Sequence, residues 1–516
     1  MSDKTMIDRR AFLTTAAMGT AAIFGWSVLG GPLTAKAATS VGTWDQTADV
    51  VIVGGGGTAL AAAAEAAALG VSVIVLEKAG TLGGSTALSG GVMQAAGTPY
   101  QKQYTKYQND STKKHYQSWL IEGEGLIDKA LIKDMTAKMP GHIAWLTGLG
   151  LKFNAVYGHC HVPYLDKAGV FADRIHVYEG GGAAGGGYPL IEALKNKAVA
   201  GGAIIKVATE VTKLVTDGAN GVIGVEATGP HGAIRVKANR GVIIATSGID
   251  HNREMSRALS AQNFWDLTQE AVFTAPSVTG DGIRMGMEIG AGLAGFGGCI
   301  DFDPVTGMGT DDRAKQMAFV YVNGQGKRFV CEDATYAYVY RAIFNQTTMH
   351  QAKTHMILDS SGVQGPASPW AGDNLAKAVA SGQLIKGSSV ADLAKKIGVS
   401  AANLNATLAE WNTNIAKYGK DPVYQRNTWL VRIAKAPYFA YKPISGNLGA
   451  IGGLQIDVNA QVIDVNGNPV PHLFAGGMAA GGWIGPYYPG SGTAIAGTVH
   501  WGRTAGASAA GTAPVA

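Results

Sequence analysis

Cysteine is scarce. The 516 residues hold three, Cys160, Cys299 and Cys331. They are odd in number and spaced too far apart in sequence to read as a metal-ligand pair or a disulfide framework. No C-x-x-C-H haem-attachment run occurs either, so electrons exchanged by the chain must come from or go to another molecule. An excess of one charge sign is nearly lacking: the formal net charge is +5, and about +3 once residues 1–37 are set aside. Such a balance leaves no electrostatic footprint for nucleic acid. No internal repeat recurs at solenoid periods. The 73 glycines follow no collagen-like period, and the 18 prolines are ordinary in number. With 47% hydrophobic residues, that much glycine points to a large core with many tight turns and close backbone approaches to a ligand.

The first 37 residues read as an address. Asp8-Arg9-Arg10 precedes a mildly apolar run from Ala16 to Leu33, and Ala35-Lys36-Ala37 follows. A charged start, a weakly hydrophobic middle and an A-x-A end describe a signal peptide. The adjacent arginines make it resemble a twin-arginine signal. The run is rich in Gly and Ala and barely reaches spanning length, which disfavours a membrane anchor. The expectation is export to the periplasm or the outer face of the cytoplasmic membrane, with no stable membrane span in the mature chain.

After a short polar linker, Ala48-Asp49-Val50-Val51-Ile52-Val53 has the β-branched character of a buried parallel strand. Gly54-Gly55-Gly56-Gly57-Thr58-Ala59 follows, then a small-residue helix from Leu60 to Leu69 and a second strand, Val71 to Leu76, ending at Glu77. This is G-x-G-x-x-A in its required context, a strand before and a helix after. Gly54 permits the tight turn, Gly56 lets a pyrophosphate approach the backbone, and Ala59 allows close helix–strand packing. The helix N-terminus then faces the phosphates, and Glu77 is placed to accept hydrogen bonds from the adenosine ribose hydroxyls. A second glycine-rich, hydroxyl-bearing loop comes directly after Glu77, running from Lys78 through Gly83-Gly84-Ser85-Thr86 to Ser89-Gly90-Gly91. A cofactor carrying an isoalloxazine ring needs a second backbone cradle of this kind, whereas NAD domains usually proceed straight to a helix.

The stretch resembles the FAD-binding proteins of the fumarate reductase and succinate dehydrogenase family, which carry L-E-K followed by G-G-x-S/T-x-x-S-G-G. Where membrane-bound members place a histidine for covalent flavin attachment, this loop has none, which implies non-covalent FAD. The resemblance runs on through Gly241–Gly248, Thr279–Gly286, Val322–Phe329, Ile451–Asp457, Leu473–Gly477 and Gly502–Gly506. It implies an α/β fold, with a Rossmann-type (glutathione-reductase-like) FAD domain from residues 45–295 and 437–516. An inserted α+β cap at 296–436 would cover the substrate. Carried over by position, the cofactor contacts are Gly54, Gly56, Thr58, Ala59, Glu77, Lys78, Gly83, Gly84, Ser85, Thr86, Ser89, Gly90, Gly91, Val211, Ala245, Thr246, Gly248, Asp281, Gly477, Ser491, Thr493, Ala494 and Ile495. The family usually has Glu after Ala475-Gly476-Gly477; this chain has Met478.

Three further departures concern the substrate. Family members acting on fumarate bind its carboxylates with a histidine of H-P-T, protonate with an arginine four residues after the Glu of R-F-x-N-E, and clamp with the arginine of H-G-x-N-R-x-G-G. Here those places hold Asp303, Tyr336 and Tyr488. A phenol cannot reproduce bidentate carboxylate recognition by guanidinium. Tyr488-Pro489-Gly490-Ser491-Gly492, with a tyrosine after R-F-x-x-E, looks instead like the 3-ketosteroid Δ1-dehydrogenase branch. That branch implies that the Tyr488 hydroxyl and the Gly492 amide hold a ketone oxygen and stabilise an enolate. Tyr336, with Tyr164 as its candidate partner, would move the proton, and hydride would pass between the β-carbon and flavin N5.

Three functions remain open on this reading. One is interconversion of C–C and C=C bonds next to a ketone, as in a 3-ketosteroid or another cyclic enone. Another is a respiratory ene-reductase of a non-fumarate unsaturated acid or aromatic acrylate, with Arg174, Arg284 or Arg341 supplying a cation. The third is a flavin electron carrier without substrate chemistry, which the large cap disfavours. The partners implied are a small unsaturated ketone or enoate and an external cytochrome or quinone. His159-Cys160-His161 lacks a third ligand nearby, so no metal is assigned. Gly180–Gly187 reads either as a flexible loop or as packing for the flavin.

Overall fold

Val50, Val51 and Ile52 are fully buried and Val53 nearly so, as a continuous β-branched run demands when both faces of a sheet are covered. They belong to β1 (Gln46–Val53) at the centre of an eight-stranded sheet. The computed structural model describes residues 43–158, 168–218, 221–307, 317–348, 353–485 and 488–515. The expected signal segment, Tyr164 and His159-Cys160-His161 therefore lie outside the described residues.

Helix α1 (Gly57–Ala68) leads from β1 to β2 (Val73–Leu76). It begins three residues earlier than the sequence suggests, because Gly54-Gly55-Gly56 alone complete the turn and Thr58 and Ala59 are already helical. Strand β1 pairs in parallel with β2, Val53 opposite Leu76, and with the strand Gly232–Ile244, Val53 opposite Ile244. Three strands thus end level, and Gly54, Glu77 and Ala245 leave them side by side. That carboxyl edge is where open parallel sheets bind ligands. The parallel strands Pro469–Ala475 and Ile204–Lys206 extend the sheet on either side.

Glycine lets the C-terminal helix, Thr493–Gly511, lie directly on α1. A side-chain carbon at Gly502 would stand 2.6 Å from the Thr58 carbonyl oxygen, and one at Gly506 would strike the Ala62 carbonyl. The first turn of α1 is thereby set against the middle of the C-terminal helix, with Gly57 beside Thr498.

Residues 320–441 supply a separate four-stranded antiparallel sheet in the order Val320–Val322, His355–Asp359, Tyr438–Tyr441, Leu384–Gly387. The helices Val390–Ile397 and Ala401–Tyr418 cover it through Leu393, Ile397, Leu404, Leu408 and Trp411. Arg328 of the R-F motif is buried in this layer, paired with Glu332 at 2.6 Å and Asp421 at 2.8 Å. Among the described residues, no helix is long and apolar enough to cross a membrane.

Candidate active site

A cavity of about 440 Å³ opens along the carboxyl edge of the sheet. Its lining falls into three groups. Glu77, Lys78, Val211, Thr246 and Asp281 form the first, Gly54 to Thr58 the second, and Ser89 to Gly91 with Tyr336, Tyr488 and Gly492 the third.

In the first group, the Lys78 Nζ donates to Asp281 Oδ2 at 2.5 Å and to Thr279 Oγ1 at 2.6 Å. Burial pushes the Glu77 carboxyl up, although the Ala79 amide donates to its Oε1 at 2.7 Å. Thr246 Oγ1 is buried with no hydrogen-bond partner among the described residues. In the second group, a side chain at Gly54 would strike the Ala245 carbonyl, and its φ of +110° belongs to glycine. Gly56 caps α1 in extended backbone with no side-chain hydrogen bond. The Gly57 amide donates to Thr86 Oγ1 at 3.3 Å, and the glycine N-cap offers the rest of the first turn of this 12-residue helix no side-chain oxygen, an arrangement suited to phosphate. The orphaned threonine hydroxyl, the glycine-capped helix and the collision at Gly54 together fit a bound dinucleotide.

The second glycine loop is held by the glycine run 180–187, for which the sequence alone allows two readings. Gly182 N donates to Gly90 O at 2.8 Å, Gly185 N to Leu88 O at 3.0 Å and Gly187 N to Ser89 O at 3.0 Å. Tyr178 adds a hydroxyl bond to Gly186 O at 2.9 Å. Gly180–Gly187 is thus a clamped turn, and its Gly182, Ala183 and Ala184 reach the cavity lining.

In the third group, the Tyr336 and Tyr488 rings lie 6.0 Å apart and tilted by 45°. Both are almost fully buried. Tyr336 opens the helix Tyr336–Thr348, and Tyr488 precedes the C-terminal helix, whose Ala494 amide donates to its hydroxyl at 2.6 Å. Gly492 caps that helix at φ +88°.

Residues 49–495 match the FAD binding domain family. The chain belongs to that family. It is 32% identical to the urocanate reductase of Eggerthella lenta over 90% of this chain and 74% of the relative. It is 29% identical to the digoxin reductase of the same organism over 91% and 88%. Among solved structures, the 3-ketosteroid Δ4-(5α)-dehydrogenase of Rhodococcus jostii RHA1 superposes with a TM-score of 0.78 at 27% identity, covering 92% of this chain and 99% of that one. The protein is an FAD-dependent oxidoreductase with the mixed α/β fold of these flavoenzymes.

Of the FAD contacts expected from the sequence, most line the cavity; Ala59, Gly83, Gly248, Gly477 and Thr493 do not. Ala59 is buried in helix packing. Gly83 faces Ala87 and Ile191, Gly248 lies near Asp250, and Gly477 sits against the Thr58 hydroxyl. Thr493 is the buried first residue of its helix. These five shape the backbone around the cavity without facing it.

Among the described residues, Lys78 is the only Lys, Arg or His in the lining, and Asp281 already pairs with it. Asp303, at the place of the family's histidine, is turned into its own loop. Its Oδ1 accepts from Val305 N at 2.9 Å, Thr306 N at 3.1 Å and the Tyr441 hydroxyl at 3.1 Å. The arginines considered as substitute cations are placed elsewhere. Arg174 is buried against Asp110 at 2.9 Å, while Arg284 pairs with Glu288 and Arg341 with Glu124, both half-exposed. Sequence reasoning missed the apolar wall: Tyr157, Phe273, Ile300, Phe302 and Leu448 also face the cavity. They come from four segments far apart in the sequence, Ile300 and Phe302 sharing the strand Cys299–Phe302, and only Phe302 adjoins a motif. Met478, a departure from the family pattern, is a lining residue too.

One group of three possible metal ligands converges among the described residues: Asp266, Cys299 and Asp301, all buried. The outer carboxylate oxygens take amide donors, Gln262 to Asp301 Oδ2 at 2.5 Å and Asn447 to Asp266 Oδ2 at 2.8 Å. Burial, and then repulsion from Asp266, push the Asp301 carboxyl far above the ordinary carboxylate range, and burial raises Asp266 to about 6.

Proposed function

We propose that this chain is an exported FAD-dependent oxidoreductase that interconverts C–C and C=C bonds next to a ketone in a cyclic enone such as a 3-ketosteroid. The observation that carries the reading is the pair of buried tyrosines, 6.0 Å apart, in a lining whose one described cation is already paired with Asp281. Seating a dicarboxylate there without cations would cost several kcal/mol per charge. A ketone needs only neutral donors.

FAD, when bound, supplies the ring that accepts or gives up hydride. The chain's own part is proton chemistry and charge placement. Tyr488 O–H and Gly492 N–H converge on the ketone oxygen and stabilise negative charge as the α-carbon loses its proton; in the reductive direction they polarise the same bond. Tyr336 exchanges that proton. The aromatic and aliphatic wall, Phe273, Ile300, Phe302 and Tyr157, matches an apolar ring. The likeness to a ketosteroid dehydrogenase, 27% identical over nearly its whole length, supports the ketone. Residues 296–436 act as the cap, FAD is dissociable, and the arginine pair at Arg9-Arg10 addresses the folded holoprotein for export.

The urocanate reductase relative favours a second reading, a respiratory reductase of an unsaturated acid or aromatic acrylate fed by an external cytochrome or quinol. Oxidation of reduced methyl viologen by the holoprotein with 4-androstene-3,17-dione, cyclohex-2-en-1-one, urocanate and fumarate separates the two. Turnover with the enones is expected. Turnover confined to urocanate or fumarate overturns the ketone assignment.

A further inference from the structure

One glutamine grips two successive peptides of the turn that carries the ketone-holding groups. Gln94 ends the short strand Met93–Gln94 and is 5% exposed. Its backbone N–H donates to Gly492 O at 3.1 Å. Its side-chain Nε2 donates to Ser491 O at 3.2 Å. Ser491 O and Gly492 N–H belong to the same peptide unit. A donor on that carbonyl polarises the N–H on the other side and fixes the plane in which it points.

The contact is tight. A side chain at Gly492 would meet Gln94 N at 2.8 Å, so the turn rests directly on the strand. The far side of the amide is held as well, because His115 Nε2 lies 3.1 Å from Gln94 Oε1. With Nε2 of the glutamine turned to a carbonyl, Oε1 is the acceptor, and His115 carries its proton on Nε2. His115 is 2% exposed in the helix Thr112–Glu122, its ring 5.5 Å from Trp119. Burial, with Arg174 and His176 nearby, holds its pKa well below 6.5, so the imidazole remains neutral. A neutral donor of fixed tautomer leaves the glutamine amide one orientation.

We propose that Gln94 is a positioning residue: it orients and polarises the Ser491–Gly492 peptide so that Gly492 N–H meets the ketone oxygen, while His115 fixes the glutamine amide. The inference rests on the ketone reading of Tyr488 and Gly492.

The test uses the FAD-loaded enzyme and cyclohex-2-en-1-one labelled with carbon-13 at the carbonyl. The infrared C=O stretch of the bound enone reports the strength of the donors on its oxygen. Gln94→Met removes the side-chain donor at similar length. Gln94→Glu keeps an acceptor for His115 but turns an acceptor toward Ser491 O, and stands in if the first variant does not fold. Tyr488→Phe is measured alongside. In both Gln94→Met and Tyr488→Phe the stretch is expected to rise toward its value in water-free solvent. The turnover number in Gln94→Met should fall roughly tenfold, less than the ~10²-fold typical of losing a whole oxyanion donor, with KM and the flavin spectrum little changed. A raised stretch in Tyr488→Phe and an unchanged one in folded Gln94→Met or Gln94→Glu overturns the role of Gln94 and leaves the ketone reading standing. Enone bound with the same stretch in all variants overturns both.

Discussion

The Ala494 amide donates to the Tyr488 hydroxyl at 2.6 Å, which ties the phenol to the first turn of the C-terminal helix while its ring faces Tyr336. A phenol oxygen that accepts this bond still carries its own proton to donate. Tyr488→Phe removes the donor and keeps the ring. Turnover with an enone is expected to fall by about 10²-fold, with FAD content unchanged by absorbance. Wild-type turnover in the variant would exclude Tyr488 from holding the substrate.

Tyr336 has a different task on the same face. Removing a positioned proton-transfer group typically costs ~10²–10⁴-fold. Tyr336→Phe should lose that much in turnover and also lose exchange of the substrate α-proton with solvent deuterium. Tyr488→Phe, by contrast, should slow exchange and turnover together. Exchange at the wild-type rate in Tyr336→Phe would place the proton elsewhere.

The first strand, its glycine turn and Glu77 were legible because each rests on local pattern: a β-branched run, a glycine fingerprint, and an acid at a strand end. The second glycine loop was legible for the same reason. What holds it was not, because the partners of Gly182, Gly185 and Gly187 lie nearly a hundred residues away. Charge was the most misleading signal. Arg174 carries the right chemistry for a site, yet it is absorbed by Asp110, 64 residues away in the sequence. Gln94 gave no signal at all, since Ser491 is 397 residues distant.

Close backbone packing makes the FAD cradle vulnerable far from the cavity. An added carbon at Gly506 strikes the Ala62 carbonyl, and backbone cannot swing aside as a side chain can. Gly506→Ala must spread the two helices, at about 1–3 kcal/mol by the usual cost of overpacking. The melting temperature should drop, and FAD should dissociate more readily because the amides of the first turn of α1 shift with the helix. Added FAD should recover part of the loss. Unchanged melting and FAD affinity would mean that the helices do not meet as described.

The paired acids Asp266 and Asp301 set a pH dependence unrelated to catalysis. Both side chains are fully buried, and burial raises their pKa values above the unfolded carboxylate near 4. The folded state therefore binds more protons than the unfolded chain. Stability from this pair is present below pH ~4 and is lost as pH rises through the raised values, at about 1.4 kcal/mol for each tenfold gain in proton affinity on folding. Asp301→Asn supplies an amide donor to Asp266 that needs no carboxyl proton. Relative to wild type, its melting temperature should improve between pH 5 and pH 8. A difference between the two proteins that stays constant across that range would show that the Asp301 carboxyl is not raised in the folded chain.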